Sequence, residues 1–380
     1  FGGGRENTFS PILLWLSDTI PKWPWIFIII PLFISFTAIY KIKDLSTDAS
    51  LMDDLRPENK LFNDLKLTEQ YFGGVLPFEV LLELENDQRT VNKTVIDQEI
   101  LIHLDKLERL LNKELSNSRF FSIMTLLESV KRIRGDESSV SYDKNFINQV
   151  LDLRGDQQIQ LINKEKNALR ITGLIENKTS SEMDKIYAKI DSLSRSFPPY
   201  LSVKCTGTTV VALRTNNYLV QSLVNSLGVA LVFISIIMAF MFRNKSILLA
   251  SLITNLIPIF TVLGLLSWLG VSIRPPTAMT FSVALGIAVD DSLHFLLRYR
   301  KELTQCTNRV EAIKATIMST GSALMITTTI LVSGFSVLLL SAFLPTYQFG
   351  MLSAGMIGTA LLCDLTLLPA LCLVLPHKES

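Results

Sequence analysis

The chain has 380 residues, of which 48% are hydrophobic and 19% charged, and its mean hydropathy is +0.36. A soluble protein of this length is ordinarily less apolar, so the composition favours insertion into a membrane. The formal net charge of +1 leaves no extended basic surface for nucleic acid. Of four cysteines only Cys205 lies in a large polar region, which excludes a disulfide framework there.

Six stretches are long and apolar enough to cross a bilayer, whose core of about 30 Å needs about 20 helical residues. They are 23–40, 218–242, 247–269, 275–297, 322–343 and 348–375. The sequence therefore predicts a short N-terminal segment (1–22), a first transmembrane helix (23–40), a polar domain (41–217), a five-helix bundle (218–375) and a tail (376–380).

The basic residues of the short connections predict the orientation, because cytoplasmic loops carry the excess of Lys and Arg. Two alternate loops of the bundle are basic, with Arg243, Lys245, Arg298, Arg300, Lys301, Arg309 and Lys314. The other loops hold only Arg274. This pattern predicts cytoplasmic termini and an outer location for residues 41–217, which in a bacterium is the periplasm.

The region 41–217 is too long for a simple connection and alternates strand-like with helix-like patterns. Strands are predicted at 77–85, in part of 119–130, at 168–176 and at 200–208, and helices at 95–115, 141–153 and 181–197. The order β-α-β-(α)-β-α-β is that of a ferredoxin-like, split βαβ domain. The predicted fold is an α-helical membrane protein with six transmembrane helices and this α+β domain between helices 1 and 2.

Two adjacent carboxylates, Asp290 and Asp291, lie deep in the fourth apolar stretch. An ionisable group at membrane depth costs about 2.5–3.5 kcal/mol on insertion scales and indicates a functional site when it faces a bundle interior. His294 follows Asp290 by four residues and Asp291 by three, so either carboxylate can lie beside the imidazole on one helix face. Alternatively, the pair caps the inner end of the span and extends toward Arg298.

Asp364 is a second intramembrane carboxylate, in the sixth stretch and at a depth similar to that of Asp290. Carboxylates crowded in a low dielectric resist ionising together, so at least one takes up a proton readily. Asp290, Asp291, Asp364 and His294 are therefore predicted to form a proton relay.

Polar support for this relay is predicted from the fifth stretch, where Thr327, Thr328 and Ser333 lie near the same level. The competing interpretation is that these hydroxyl groups bond back to their own helix. Gly286, Gly321, Gly334 and Gly358 are interpreted as positions where helices pack closely.

No motif of a soluble enzyme is present, since the chain has no Walker loop, no HExxH, no GxSxG and no cluster of metal ligands. The sequence predicts neither a cofactor nor a metal, and a secondary active transporter rather than an enzyme.

The order of one span, a split α/β domain and five spans, with "GIAVDD" in the fourth, resembles one half of a resistance-nodulation-division (RND) superfamily transporter of the MMPL and Patched-like branch. Gly286, Asp290 and Asp291 match the GxxxDD motif of that branch. The segments 319–341 and 364–371 are similar to its fifth and sixth helices. The resemblance implies proton-coupled export of a lipid or other hydrophobic molecule, with a porter-type outer domain, from a bacterial inner membrane.

Members of this branch usually carry two such repeats. A chain that starts at Phe1 with six spans is therefore expected to be the C-terminal repeat of a longer protein, or a separate half that pairs with a second six-helix half or another copy. The alternative function is a non-transporting membrane module, either a sterol-sensing-like lipid sensor or a structural subunit of an envelope complex.

Overall fold

The structure, a computed structural model, describes residues 10–43, 45, 48, 50–85, 94–134, 147, 161–163, 165 and 167–376. The chain divides into two compact units, one formed by Phe1–Ala49 with Asn217–Ser380 and the other by Ser50–Asn216. We call them the membrane unit and the α/β unit, and each is described by itself.

In chain order the elements are α1 (Ser10–Thr19), α2 (Pro24–Ile42), α3 (Lys60–Phe72), β1 (Leu76–Leu84), α4 (Gln98–Glu114), β2 (Arg119–Phe121), α5 (Ile123–Arg134), β3 (Ala168–Ile175), α6 (Ser180–Ser194), β4 (Leu201–Thr206), α7 (Thr208–Phe242), α8 (Lys245–Trp268), α9 (Pro275–Leu303), α10 (Arg309–Ser336), α11 (Leu344–Leu362) and α12 (Leu368–Val374). A π-helical turn, Cys363–Leu367, joins α11 to α12.

The α/β unit is built on a four-stranded sheet of order β2-β3-β1-β4, in which every neighbouring pair is antiparallel. Strand β3 lies between β1 and β2, so the β-α-β unit that connects those two strands is split. Alternate residues of β1, namely Phe78, Val80 and Leu82, are buried on one face of the sheet. The period of two in that sequence produces this one-sided burial, because successive side chains of a strand point to opposite faces.

Helix α4 supplies the other half of this core through the predicted stripe at Ile100, Leu104, Leu107 and Leu111, all fully buried. The segment 119–130 is a strand only as far as Phe121, and helix α5 follows it. The polar segment 141–153 lies outside the described residues, apart from Ile147, which is helical and buried.

Among the described residues, six helices are long and apolar enough to span a bilayer, and all of them belong to the membrane unit except the first residues of the second, Thr208–Asn216, which belong to the α/β unit. They are Pro24–Ile42, Thr208–Phe242, Lys245–Trp268, Pro275–Leu303, Arg309–Leu340 and Leu344–Val374. The six predicted spans are thus confirmed. The second helix begins at Thr208, well before its predicted span, because the polar residues ahead of that span continue the same helix.

Local sequence explains where the membrane helices begin. Asn244 caps α8 by accepting a hydrogen bond from the Ser246 amide at 2.9 Å, and Asn308 caps α10 by accepting one from the Glu311 amide at 2.9 Å. Proline at the first helical turn starts α9, where the missing N–H costs nothing.

Close approaches of helices occur at glycines. A Cβ on Gly264 of α8 would lie 2.3 Å from the Cβ of Ala38 on α2, so these helices are in backbone contact. A Cβ on Gly321 of α10 would meet Leu13 of α1 at 2.6 Å. Helix α9 is central, because it packs against α8, α10 and α11.

Candidate functional site in the membrane unit

Helix α9 presents Asp290 and His294 together on its surface. Their Oδ1 and Nε2 atoms are 3.5 Å apart, one helical turn separating the residues, and the side chains are 68% and 66% exposed. The predicted carboxylate and imidazole pair therefore forms with Asp290. A pair so exposed within an apolar span has no covering group in this chain among the described residues.

A groove of about 610 Å³ opens beside this pair between α9 and α10. Helix α9 contributes both carboxylates, and α10 contributes Thr327 and aliphatic side chains. The lining residues are Gly286, Ile287, Asp290, Asp291, Thr327, Ile330 and Leu331. The groove thus combines apolar walls with two carboxyl groups.

Asp364 lies in the π-helical turn and is 1% exposed. The turn has a local cause, because Pro369 lacks an N–H for the Leu365 carbonyl and its ring displaces that carbonyl. A helix relieves such a conflict by widening locally, and π turns of this kind are common at functional sites. The Pro369 ring thus accounts for the widened backbone that carries Asp364.

Neither carboxyl oxygen of Asp364 has a hydrogen-bond partner in the part of the chain that the structure describes. An unsatisfied buried polar group costs about 1–3 kcal/mol, and more when it is charged. The turn packs against both α8 and α9. The structure therefore places Asp364 in a turn that contacts α9, the helix that carries Asp291, and it pairs Asp290 with His294.

Sequence reasoning missed a buried polar cluster that joins α8 to α9. The Asn255 side chain donates to Ser292 Oγ and to the Ser251 carbonyl, both at 2.9 Å. Asn255 is 4% exposed and Ser292, which directly follows Asp291, is 0% exposed. The signal in the sequence was a lone asparagine in the apolar run "SLITNLIPIF".

The hydroxyl groups of α10 divide into two kinds. Thr327 lines the groove, and it bonds back to the Ala323 and Leu324 carbonyls at 3.1 and 3.0 Å. Thr329 likewise bonds to the Met325 carbonyl at 2.7 Å. Thr328 is buried and its Oγ1 has no partner among the described residues. Of the three consecutive threonines, Thr328 is the one whose hydroxyl has no partner in the part of the chain that the structure describes.

Ser333, Gly286 and Gly334 lie on the exposed surface of α9 and α10. A Cβ built on either glycine meets nothing within 4 Å. Of the four candidate glycines, Gly321 is thus confirmed as a close helix approach, and Gly358 meets nothing within 4 Å either. The close approach at Gly264 was not predicted.

The alternative interpretation was that Asp290 and Asp291 extend toward Arg298, and the structure gives Arg298 a different partner. Arg298 forms an ion pair with Glu302, at 2.5 Å between Nη2 and Oε1, one turn further along α9. Its guanidinium is thus engaged away from Asp290 and Asp291.

Fold and site together define a polytopic membrane protein with carboxyl groups inside and on the surface of its helix bundle. Residues 122–379 match the profile of the MMPL family, and the chain therefore belongs to that family. The match covers all five helices of the bundle and part of the α/β unit.

Two curated relatives are named as membrane proteins. MJ1562 of Methanocaldococcus jannaschii is 29% identical over 208 residues, which are 55% of this chain and 53% of that protein. ActII-3 of Streptomyces coelicolor is 34% identical over 106 residues, which are 28% of this chain and 15% of that protein. The alignments thus span about half of the first relative and less of the second.

The cryo-EM structure of the hedgehog release protein Disp from the water bear Hypsibius dujardini has a TM-score of 0.62 to this chain at 14% identity. The likeness covers 98% of this chain and 50% of that chain. At this identity it shows that the fold is shared.

Proposed function

We propose that this chain is one six-helix repeat of a transporter that couples proton movement to the transport of a lipid or other hydrophobic molecule. The observation that carries the proposal is Asp364, which is 1% exposed, has no hydrogen-bond partner among the described residues, and lies in a turn that packs against α9. A buried carboxylate that finds no donor binds a proton in preference to remaining charged. Membership of a family whose members are transporters supports the same function.

The proton relay uses the two sides of α9. Asp290, which pairs with His294, lines the groove together with Asp291, and we propose that a proton is exchanged there and passes by way of Asp291 to the buried Asp364. Because neighbouring carboxyl groups in a low dielectric do not ionise together, a proton on one favours the charged form of the other. A proton can therefore pass inward from Asp290 through Asp291 to Asp364.

The α/β unit is proposed to be a ferredoxin-like, porter-type domain on the periplasmic side of a bacterial inner membrane. Its strand order β2-β3-β1-β4 supports the domain type. The basic loops after α7 and α9 support cytoplasmic termini and the opposite location for residues 41–217.

A partner is expected to cover the exposed face of α9. A charged side chain that faces lipid costs several kcal/mol by most estimates, so Asp290 is better accommodated against protein or a water-filled cavity. The partner is proposed to be a second six-helix half. Disp is about twice as long as the region it matches here, which supports a second half fused in the same chain. MJ1562 is of nearly the same length as this chain, which supports a second half supplied by a separate copy.

The test is proton movement in vesicles. Purified protein is reconstituted with a fluorescent phospholipid and an enclosed pH-sensitive dye, and an inward proton gradient is imposed. Coupled proton entry and lipid movement are expected for the parent protein, and loss of both for Asp291→Asn and Asp364→Asn. Asp191→Asn is the matched control, because Asp191 is an exposed carboxylate on α6 that pairs only with nearby Arg195.

Parent rates in both aspartate variants would contradict the relay. Saturable binding of the fluorescent lipid with no proton entry in any of the proteins would instead favour the lipid-sensor function.

A further inference from the structure

We infer that Asn255 and Ser292 are positioning residues, whose hydrogen bond fixes the rotation of α9 and thereby holds Asp291 between the groove and Asp364. The inference rests on the proposed proton relay and deepens it. It concerns two residues that belong to neither the aspartate pair nor the groove.

The orientation of the Asn255 amide is determined by its partners. The nitrogen Nδ2 donates to the Ser251 carbonyl at 2.9 Å, and because a carbonyl only accepts, the NH₂ group and not the oxygen must lie there. The same NH₂ group donates to Ser292 Oγ at 2.9 Å. Ser292 Oγ in turn donates to the Val289 carbonyl at 3.2 Å. The hydroxyl is thus held from both helices.

The hydrogen bond between Asn255 and Ser292 fixes the rotation of α9 about its own axis at Ser292. Successive helical residues point about 100° apart, so a Ser292 side chain held against α8 sets where Asp291 and Asp290 point. Those two carboxyl groups line the groove that α9 forms with α10. Loss of the bond releases α9 to rotate, and Asp291 then changes its distance to Asp364 on one side and to the groove on the other.

The Asn255 side chain also carries a hydrogen-bond acceptor beyond the donors already described. Its Oδ1 is buried and accepts no hydrogen bond in the part of the chain that the structure describes. Three residues further, Pro258 lacks an N–H and removes the helical donor of the Thr254 carbonyl. Helix α8 therefore carries free acceptor groups where it packs on α9, and such acceptors take a proton-bearing group or a water.

The titratable groups around Asp291 are few. Asp290 and His294 belong to its own helix, and Asp364 comes from the π-helical turn. Helix α8 contributes the uncharged Asn255 and α10 contributes the uncharged Thr327. A change at Asn255 therefore alters the position of Asp291 without adding or removing a charge.

The experiment measures carboxyl protonation without requiring a known cargo. Dicyclohexylcarbodiimide adds across a protonated carboxyl group in a membrane, and peptide mass spectrometry gives the labelled fraction at Asp290 and Asp291 against pH. The full chain is used in phospholipid vesicles. Asn255→Leu and Ser292→Ala are each expected to move the midpoint of the labelling curve by about half a pH unit or more, in the same direction.

The design contains its own controls. Thr254→Val is the matched control, because Thr254 is equally buried beside Asn255 but bonds only to the Ala250 carbonyl of its own helix, at 2.8 Å. Its midpoint is expected to equal that of the parent. Ser292→Thr keeps the hydroxyl and is expected to keep the parent midpoint. The double variant is expected to shift no further than the larger single variant, since both changes remove one bond.

Parent midpoints in both Asn255→Leu and Ser292→Ala overturn the inference and leave the relay intact. An equal shift in Thr254→Val also overturns it, because the effect is then general loosening of α8. Labelling of the parent that does not depend on pH overturns the relay and this inference together. Ser292→Ala removes a single oxygen and carries the test if Asn255→Leu does not fold.

Discussion

Glu108 of the α/β unit and Asp364 of the membrane unit are both buried carboxyl groups, and their hydrogen-bonding surroundings are opposite. In the α/β unit, Glu108 on α4 accepts hydrogen bonds from the Ser122 and Thr125 hydroxyl groups at the start of α5. In the membrane unit, Asp364 has no such donor among the described residues. A satisfied carboxylate joins two helices, whereas an unsatisfied one beside a second carboxylate is available to bind and release a proton.

The largest expected effect comes from replacing these two buried carboxyl groups by amides, one at a time. Asp364→Asn is expected to lower proton entry in vesicles by about 100-fold or more, because an amide cannot take part in acid–base transfer. Glu108→Gln is expected to leave proton entry per folded molecule near the parent rate. Similar losses in both variants would remove the distinction between the two sites.

The next effect concerns Cys205, half-buried on β4 of the α/β unit. Burial raises the pKa of its thiol to about 11, against a smaller opposite influence of the nearby Arg214 guanidinium. Because the thiolate is the reacting form, only roughly one thiol in a thousand is reactive at pH 8. Site-resolved maleimide labelling is expected to be about 100-fold slower than at a Ser129→Cys control on exposed α5, and to rise about tenfold per pH unit up to pH 11. Equal rates at pH 8 would contradict this.

A smaller effect is expected from removing the Glu108 acceptor. Glu108→Ala leaves the buried Ser122 hydroxyl and the partly buried Thr125 hydroxyl without their acceptor and is expected to cost about 1–3 kcal/mol of local stability. Amide hydrogen exchange across α4 and α5 measures this cost. Glu128→Ala, an exposed position on α5, is expected to change it by less than about 0.5 kcal/mol. Unchanged exchange in Glu108→Ala would show that the hydroxyl bonds contribute nothing.

The smallest effect compares two neighbouring threonines of α10. Thr328→Val removes a buried hydroxyl that has no partner among the described residues, and Thr329→Val removes one that bonds to its own helix. Proton entry is expected to fall about fivefold in the first variant, which corresponds to about 1 kcal/mol, and less than about twofold in the second. The reverse order would assign the useful hydroxyl to Thr329.

The sequence predicted the site carboxylates because charge in an apolar run is a local property. Asp290, Asp291 and Asp364 were visible as charged residues within apolar runs. Helical spacing placed His294 within reach of either Asp290 or Asp291, and the structure pairs it with Asp290. The choice among the α10 hydroxyl groups could not be predicted, since it depends on which face of α10 is covered. Asn255 was missed for a similar reason, because a single amide in a span has meaning only when its partner on another helix is known.

The glycines show the same difference between what local sequence predicts and what tertiary contacts decide. Of the four candidate glycines, only Gly321 lies at a close helix contact in the described part of the chain, and the contact at Gly264 was not predicted. Which glycine faces a neighbour depends on helix rotation, and periodicity cannot fix rotation in a helix that is apolar on all sides.

The sequence by itself determined the six spans, the four strands of the α/β unit and the carboxyl groups within the spans, because each follows from local hydropathy and spacing. Only the tertiary structure decided that Asp364 is enclosed while Asp290 is exposed, and that Asn255 bonds across to Ser292. These outcomes depend on how helices far apart in the chain rotate and pack against one another, which no local pattern specifies.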